Sequence, residues 1–310
     1  MKLKAKGTIC GILAAISYGT NPLGALSLYQ EGVHVNSVLF FRYSLAALVL
    51  LLLLGIRQES LRLTRTEFRV LSILGLLFAS SSITLFTSFH YIDAGVASTL
   101  LFVYPIMVAV LMAVFFKEKI TLTTVASIGL ALMGIAMLTK SPDGALLSTM
   151  GVVLVFISAL TYAIYIIVVN KTQLKMSVFK LTFYVLVFCG LTTIIYSLGG
   201  GGEPIELLPS WRAWGYAWML ALIPTVISLI TMAVAVKEIG STPTAIMGAL
   251  EPLTAVVIGV TLFGEELTLA LVLGIIMILI SVLLIIAGKS IRMRSVSQIL
   301  ANFHNKQGKA

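Results

Sequence analysis

Ten runs of about twenty apolar residues, separated by short polar links, leave this chain one solvent in which it can fold. A helix needs about twenty apolar residues to cross the hydrocarbon of a bilayer, because each residue adds about 1.5 Å. In lipid every backbone N–H and C=O must be satisfied within the chain, so spans of this length read as helices. The runs cover roughly 7–29, 36–56, 70–92, 94–116, 121–138, 149–169, 178–198, 214–236, 242–263 and 268–287. Composition agrees: 59% of residues are apolar, 11% are charged and the mean hydropathy is +1.08. A soluble domain carries roughly 25% charged residues.

The net charge of +9 suggests nucleic acid until its placement is considered. The basic residues sit in short clusters between apolar runs. With the amino terminus in the cytoplasm, 18 of the 21 Lys and Arg fall on the cytoplasmic side. Lys140 and Arg212 fall outside, and Arg42 is within a span. This is the asymmetry of the positive-inside rule, and it puts both termini in the cytoplasm. A cleaved leader is disfavoured: the first run is longer than a signal core and is interrupted by Gly19-Thr20-Asn21-Pro22 rather than ended by a cleavage site. Cys10 and Cys189 lie inside apolar runs and read as small packing residues rather than a disulfide framework.

The chain is also duplicated. LFVYPIMVAVLMAVFFKEKIT recurs 147 residues later, so that Tyr104 matches Glu251, Pro105 matches Pro252, Phe116 matches Phe263, Glu118 matches Glu265 and Thr121 matches Thr268. With an offset of 144, Gly7, Ala15 and Tyr18 fall on Gly151, Ala159 and Tyr162. Five spans per half means that the second half crosses in the opposite sense. The expected fold is an all-α membrane protein of ten transmembrane helices in two inverted five-helix repeats, residues 1–141 and 147–288, joined at the turn-rich Lys140-Ser141-Pro142-Asp143-Gly144 and followed by a basic cytoplasmic tail, 289–310.

Candidate functional residues are polar groups at membrane depth. Glu251 lies about ten residues into its span, roughly 15 Å deep. A charge there costs roughly 2.5–3.5 kcal/mol on insertion scales. It reads either as a proton or substrate-amine site, or as a partner for backbone groups freed at Pro252. Arg42 reads either as a snorkelling or ion-paired side chain near the outer interface, or as a contact for a substrate carboxylate. Asn21 sits at the helix break. Tyr104, Tyr162 and Tyr165 are candidate pocket walls, with ordinary aromatic packing as the alternative. Ser80, Thr84, Ser88 and Tyr91 share one helical face, as do Thr225, Ser228 and Thr231, so Ser80, Thr84, Thr225 and Ser228 are expected to line a pathway. His90 and Asp93 read as solvated loop residues.

The chain resembles the drug/metabolite transporter superfamily, in particular its EamA-like ten-helix branch. The resemblance rests on SYGTNPLG, FFRYSLAALVLLLLL, ASTLLFVYPIMVAVLMAVFFKEKIT, ISALTYAIYIIVVNK and TAIMGALEPLTAVVIGVTLFGEELT, which together span both halves. It implies alternating-access transport of small metabolites, often as export, around a central cavity in a bacterial inner membrane, with lipid as surroundings and protons as a candidate coupling ion. Lys237, expected at the cytoplasmic mouth, is a poor match for relatives that handle phosphate. There is no phosphate-cradling Gly-x-x-x-x-Gly-Lys-Ser/Thr loop, so ATP drive within the chain is not expected. One acid and one base near an aromatic cavity suit amino acids or related amphiphilic compounds.

Rival readings are a passive channel, a non-transporting helical scaffold and a membrane enzyme. No charged ring or filter-like loop recurs, and the inward polar stripes argue against a scaffold. No paired intramembrane carboxylates, metal-ligand spacing or Ser/His/Asp set is present, and His34, His90 and His304 all fall in loops or the tail. No catalytic residue, metal or cofactor is therefore expected.

Overall fold

The computed structural model describes residues 2–117, 122–138, 147–172, 174–200, 202–240, 244 and 247–284. The joint at 140–144, Glu118, Thr121 and the basic tail from Lys289 lie outside the described residues. All secondary structure among the described residues is helical. Seven helical segments are long and apolar enough to cross a membrane, and three shorter apolar helices accompany them.

The first long segment is α1 (Lys2–Gly19) continued by α2 (Asn21–Gln30), and α3 (Val35–Ile56) and α4 (Arg65–Ser88) follow as unbroken spans. The next span is again split, into α5 (Ala94–Leu101) and α6 (Tyr104–Phe116), before the shorter α7 (Leu122–Leu138). The second half runs through α8 (Thr149–Thr172), α9 (Val178–Leu198), α10 (Trp211–Ala221) and α11 (Ser228–Ile239). It ends with α12 (Leu250–Phe263) and α13 (Leu269–Leu284). Leu222–Ile227, between α10 and α11, forms a π-helical turn.

Among the described residues, each break within a span has a proline at or beside it. Pro22 stands in the first turn of α2 and Pro105 in that of α6, where the missing N–H removes no helical bond. Carbonyls left over at the first break are taken by side chains: Asn21 Nδ2 donates to Tyr18 O at 2.7 Å and Thr20 Oγ1 to Ser17 O at 2.7 Å. Pro224 lies in the π turn, where Thr225 Oγ1 reaches back to Leu220 O at 2.9 Å. In α12, Pro252 follows Glu251, whose N–H donates to Gly248 O at 2.9 Å. Irregular backbone at membrane depth is thus buried and locally satisfied, as lipid requires.

Small residues let the helices approach. A Cβ on Gly7 would lie 2.6 Å from Ile239 Cγ2 and 2.8 Å from Glu238 Cβ, where α1 runs along α11. A Cβ on Gly151 would lie 2.8 Å from Ile92 Cγ2 and 2.9 Å from Tyr91 Cβ, beside the end of α4. These two contacts are the same contact in the two halves of the duplication. So are two interhelical bonds: Ser81 Oγ donates to Ser158 O at 3.0 Å, and Ser228 Oγ donates to Ala14 O at 3.0 Å. Ser81 matches Ser228 and Ala14 matches Ser158, by the offsets found in the sequence.

The interior is filled by Tyr43, Phe86, Leu28, Leu39, Leu50, Leu54 and Leu186, all essentially inaccessible. Large apolar side chains also cover the outside, with Phe115, Ile195 and Leu52 more than half exposed. Among lipid chains such a surface carries no hydrophobic penalty.

Candidate functional site

Both split spans, the start of α12, and the inner faces of α3, α4 and α8 border one cavity. Its empty volume is ≈ 660 Å³, counting the part open to its surroundings. Five of the residues singled out from sequence line it: Asn21, Arg42, Tyr104, Tyr162 and Glu251.

Arg42 is the most constrained of them. It is only 3% exposed, so it does not snorkel. Of the two readings of Arg42, a side chain at the interface does not fit, because α3 turns this face toward the bundle, where Thr225 supplies an acceptor. Nε donates to Thr225 Oγ1 at 3.0 Å, and the guanidinium carbon sits 5.4 Å from the centroid of the Phe86 ring. That is within cation–π range. Among the described residues the one salt bridge is Arg57 with Glu59, so Arg42 has no carboxylate within pairing distance. It is a buried cation among neutral partners, the hydroxyls of Thr225 and Tyr18 and the Phe86 ring.

Glu251 opens the first turn of α12 and lines the cavity beside Gly19 and Pro252. Its backbone is bonded to Gly248, and no hydrogen bond from its carboxylate to freed backbone is found among the described residues. Gly19 is needed here: a Cβ on it would come within 2.6 Å of Glu251 O and of Thr254 Cβ. Tyr18, one residue earlier, is close enough to both Arg42 and Glu251 to feel the charge of each.

Aromatic rings form the rest of the wall. Tyr104 meets Tyr162 edge-on at 4.7 Å, and Phe102 packs against Tyr104 at 6.0 Å. Tyr165 stands behind this wall, stacked on Tyr162 at 5.8 Å and packed on Phe78 at 5.4 Å. Asn21 points a different kind of group inward. Its Nδ2 is used by Tyr18 O, whereas Oδ1 is buried with no donor among the described residues. A buried acceptor of this kind costs about 1–3 kcal/mol until something donates to it.

The polar stripe read on α4 is displaced by one residue. Ser81, Ser82, Leu85, Phe86 and Phe89 face the cavity, while Ser80 and Thr84 do not line it. Thr84 Oγ1 instead donates to Ser80 O at 2.9 Å within the helix. The face is fixed by the bonds between Ser81 and Ser158, which a one-helix stripe cannot reveal. Thr225 and Ser228 are likewise off the wall: Thr225 holds Arg42, and Ser228 ties α11 to α1. Ser98 and Tyr18 line the cavity without having been singled out. Tyr18 could have been, as the match of Tyr162 in the duplication. At the Asp93 end of the bundle, His90 stacks on Tyr29 at 4.5 Å, and burial together with His34 lowers its pKa.

The pattern that defines the EamA-like transporter family matches residues 5–140 and, a second time, residues 149–287. An uncharacterized transporter of Archaeoglobus fulgidus is 28% identical over 193 residues, covering 62% of this chain and 67% of its own length. YyaM of Bacillus subtilis, also named an uncharacterized transporter, is 23% identical over 283 residues, with 88% and 91% covered. An uncharacterized transporter of Clostridium kluyveri is 22% identical, with 89% and 91% covered. One solved crystal structure superposes with a TM-score of 0.62 over 90% of this chain and 96% of that chain, at 17% identity, which is a likeness of fold.

Proposed function

The chain belongs to the EamA-like transporter family, a family of transporters and not of enzymes, and from that premise we propose that it carries small zwitterionic metabolites, amino acids or their amphiphilic relatives. The observation that carries this reading is the pairing, across one cavity, of a buried arginine lacking a carboxylate partner with a carboxylate lacking a cation. Each is an incomplete ion pair. A substrate with a carboxylate and an ammonium completes both, and the unpartnered Oδ1 of Asn21 offers the ammonium a second acceptor. The aromatic wall of Tyr104 and Tyr162 suits an apolar side chain.

We read the architecture as ten spans in two inverted repeats, residues 1–141 and 147–288, with the three shorter helices completing the seven long ones. The repeated serine bonds and the repeated glycine contacts support it. Exchange between inverted halves gives a site near the midplane alternating access to either side. With both termini in the cytoplasm the Asp93 end faces outward, and export from a bacterial inner membrane is the direction favoured. A reporter fused after Ala145 should then report an external location, and one after Lys175 a cytoplasmic one; a cytoplasmic Ala145 would overturn the inverted arrangement.

The direct test is flux. In proteoliposomes, amino acids should be transported in preference to sugars and to organic cations lacking a carboxylate, with a rate that responds to an imposed pH gradient. Equal transport of compounds without a carboxylate would remove the role given to Arg42.

A further inference from the structure

Outside the cavity, one side chain joins the two halves of the chain by its charge. Glu265 follows α12, and its Oε1 accepts from the N–H of Ala94 at 2.8 Å while Oε2 accepts from the N–H of Gly95 at 3.0 Å. These are the first two amides of α5. A helix leaves such amides without internal partners, and their partial positive charge favours a carboxylate. Asp93, at the N-cap of α5, makes no side-chain cap bond. The cap comes instead from 171 residues away.

The seat for this carboxylate is shaped from both sides. A Cβ on Gly259 would fall 2.1 Å from Oε2, and one on Gly95 would fall 2.7 Å from it. Only glycine at both positions leaves room. The N–H of Glu265 also donates to Gly259 O at 3.0 Å, after Gly264 turns the chain with a φ of +72°. Backbone and side chain of Glu265 are thus fixed together.

We propose that Glu265 is a positioning residue that pins the start of α5 to the end of α12, keeping the seam between these helices shut at this end while the cavity opens elsewhere. The two pinned helices are the ones that count: α12 carries Glu251, and α5 leads directly into Tyr104, its match in the duplication. With the pin in place the cavity still reaches Leu85, Phe86 and Phe89, at the same end of the bundle where α4 finishes. Access at that end therefore does not require this seam to part. The sequence also makes the device one-sided. Glu118 matches Glu265, but Met112 and Thr242 stand where Gly259 and Gly95 do, so the glycine seat has no counterpart in the other half.

Its consequence for flux rests on the transport reading above, so the test measures the seam without substrate. Spin labels at Asp93→Cys and Leu262→Cys, both exposed, are placed in a Cys10→Ser/Cys189→Ala background. The wild type should give one narrow distance. Glu265→Gln, which puts an amide NH2 against a backbone N–H, should lengthen and broaden it. The yield of folded protein should stay unchanged, while amino-acid flux in proteoliposomes falls several-fold. Gly95→Ala keeps the charge but fills the seat, and should widen the distance in the same way if Glu265→Gln folds poorly. A narrow distance retained in both variants overturns the pin, and two distances in the wild type overturn the closed seam. A widened seam with no flux from either protein leaves the pin standing and counts against the transport reading.

Discussion

Arg42→Met should abolish substrate transport while leaving the protein at least as stable as the wild type. The two halves of this expectation have one cause. The guanidinium is buried among neutral groups, the hydroxyls of Thr225 and Tyr18 and one aromatic ring, and no carboxylate of the described residues pairs with it. Removing one side of a desolvated charge pair between arginine and a bound carboxylate costs about 2–5 kcal/mol, roughly 30-fold to several-thousand-fold in Kd. In the empty protein the same charge is desolvated without an ion-pair partner, at a cost of several kcal/mol, so an apolar side chain of similar size should leave stability unchanged or higher. Binding by calorimetry and thermal unfolding in detergent should therefore move in opposite senses. Thr225→Val tests the geometry alone: losing the Nε acceptor leaves the charge but not its aim, so affinity should fall less, by about tenfold. Arg42→Lys should rank between them, since an ammonium cannot offer the planar fork that a carboxylate accepts. A strongly destabilised Arg42→Met would make the arginine a strut, and an unaltered Kd would remove it from the site.

What could be read in the sequence and what could not divide along one physical line. Helix length and hydropathy are set by the bilayer, so the apolar runs locate the spans without knowledge of their neighbours. Breaks are set by proline and glycine, so SYGTNPLG and LFVYP mark the two split spans directly. The duplication is a property of spacing, and it marks Tyr104 as the match of Glu251; both line the cavity. Rotation of a helix about its axis is different, because it is decided by what the neighbour offers. On α4, Ser80 and Thr84 make as good a stripe as Ser81, Ser82 and Leu85. The choice falls to the latter because Ser158 of α8 meets Ser81, and Gly75 of the same helix meets Phe188 of α9. The two readings of Arg42 stay open in the sequence for the same reason. Its depth allowed snorkelling, and only the π turn at Pro224, which brings Thr225 to α3, turns it inward.

The four prolines at helix breaks among the described residues lie at or beside the cavity, which ties the breaks to it. Pro22 and Pro252 line it, Pro105 follows Tyr104, and Pro224 precedes the residue that holds Arg42. Each break lets a polar group reach the interior without stranding helical amides. Small changes at such breaks move side chains more than they move helices. On the alternating-access reading proposed above, the rearrangement would then be concentrated around this cavity.

Glu251→Gln is the second large effect expected, and it separates a site that pairs with substrate from one that carries a proton. Glutamine keeps the shape, fits beside Gly19 and Thr254, and cannot ionise. If the carboxylate holds the substrate ammonium, binding of amino acids should weaken about 30-fold or more, on the same scale as Arg42. Binding of their N-acetylated forms, which lack that charge, should be unchanged. The response of flux to a pH gradient should flatten in the same variant, because this is the one carboxylate that the described residues place in the cavity wall. If instead the group only relays protons, binding should survive while the pH response disappears. The third outcome, with both properties at wild-type values, would return Glu251 to the role of satisfying the helix break at Pro252. In the structure the N–H of Glu251 donates to Gly248 O, and the residue lines the cavity. Titrating binding of one amino acid and its N-acetyl derivative, in wild type and variant, across the pH range therefore decides which of the three roles this acid has.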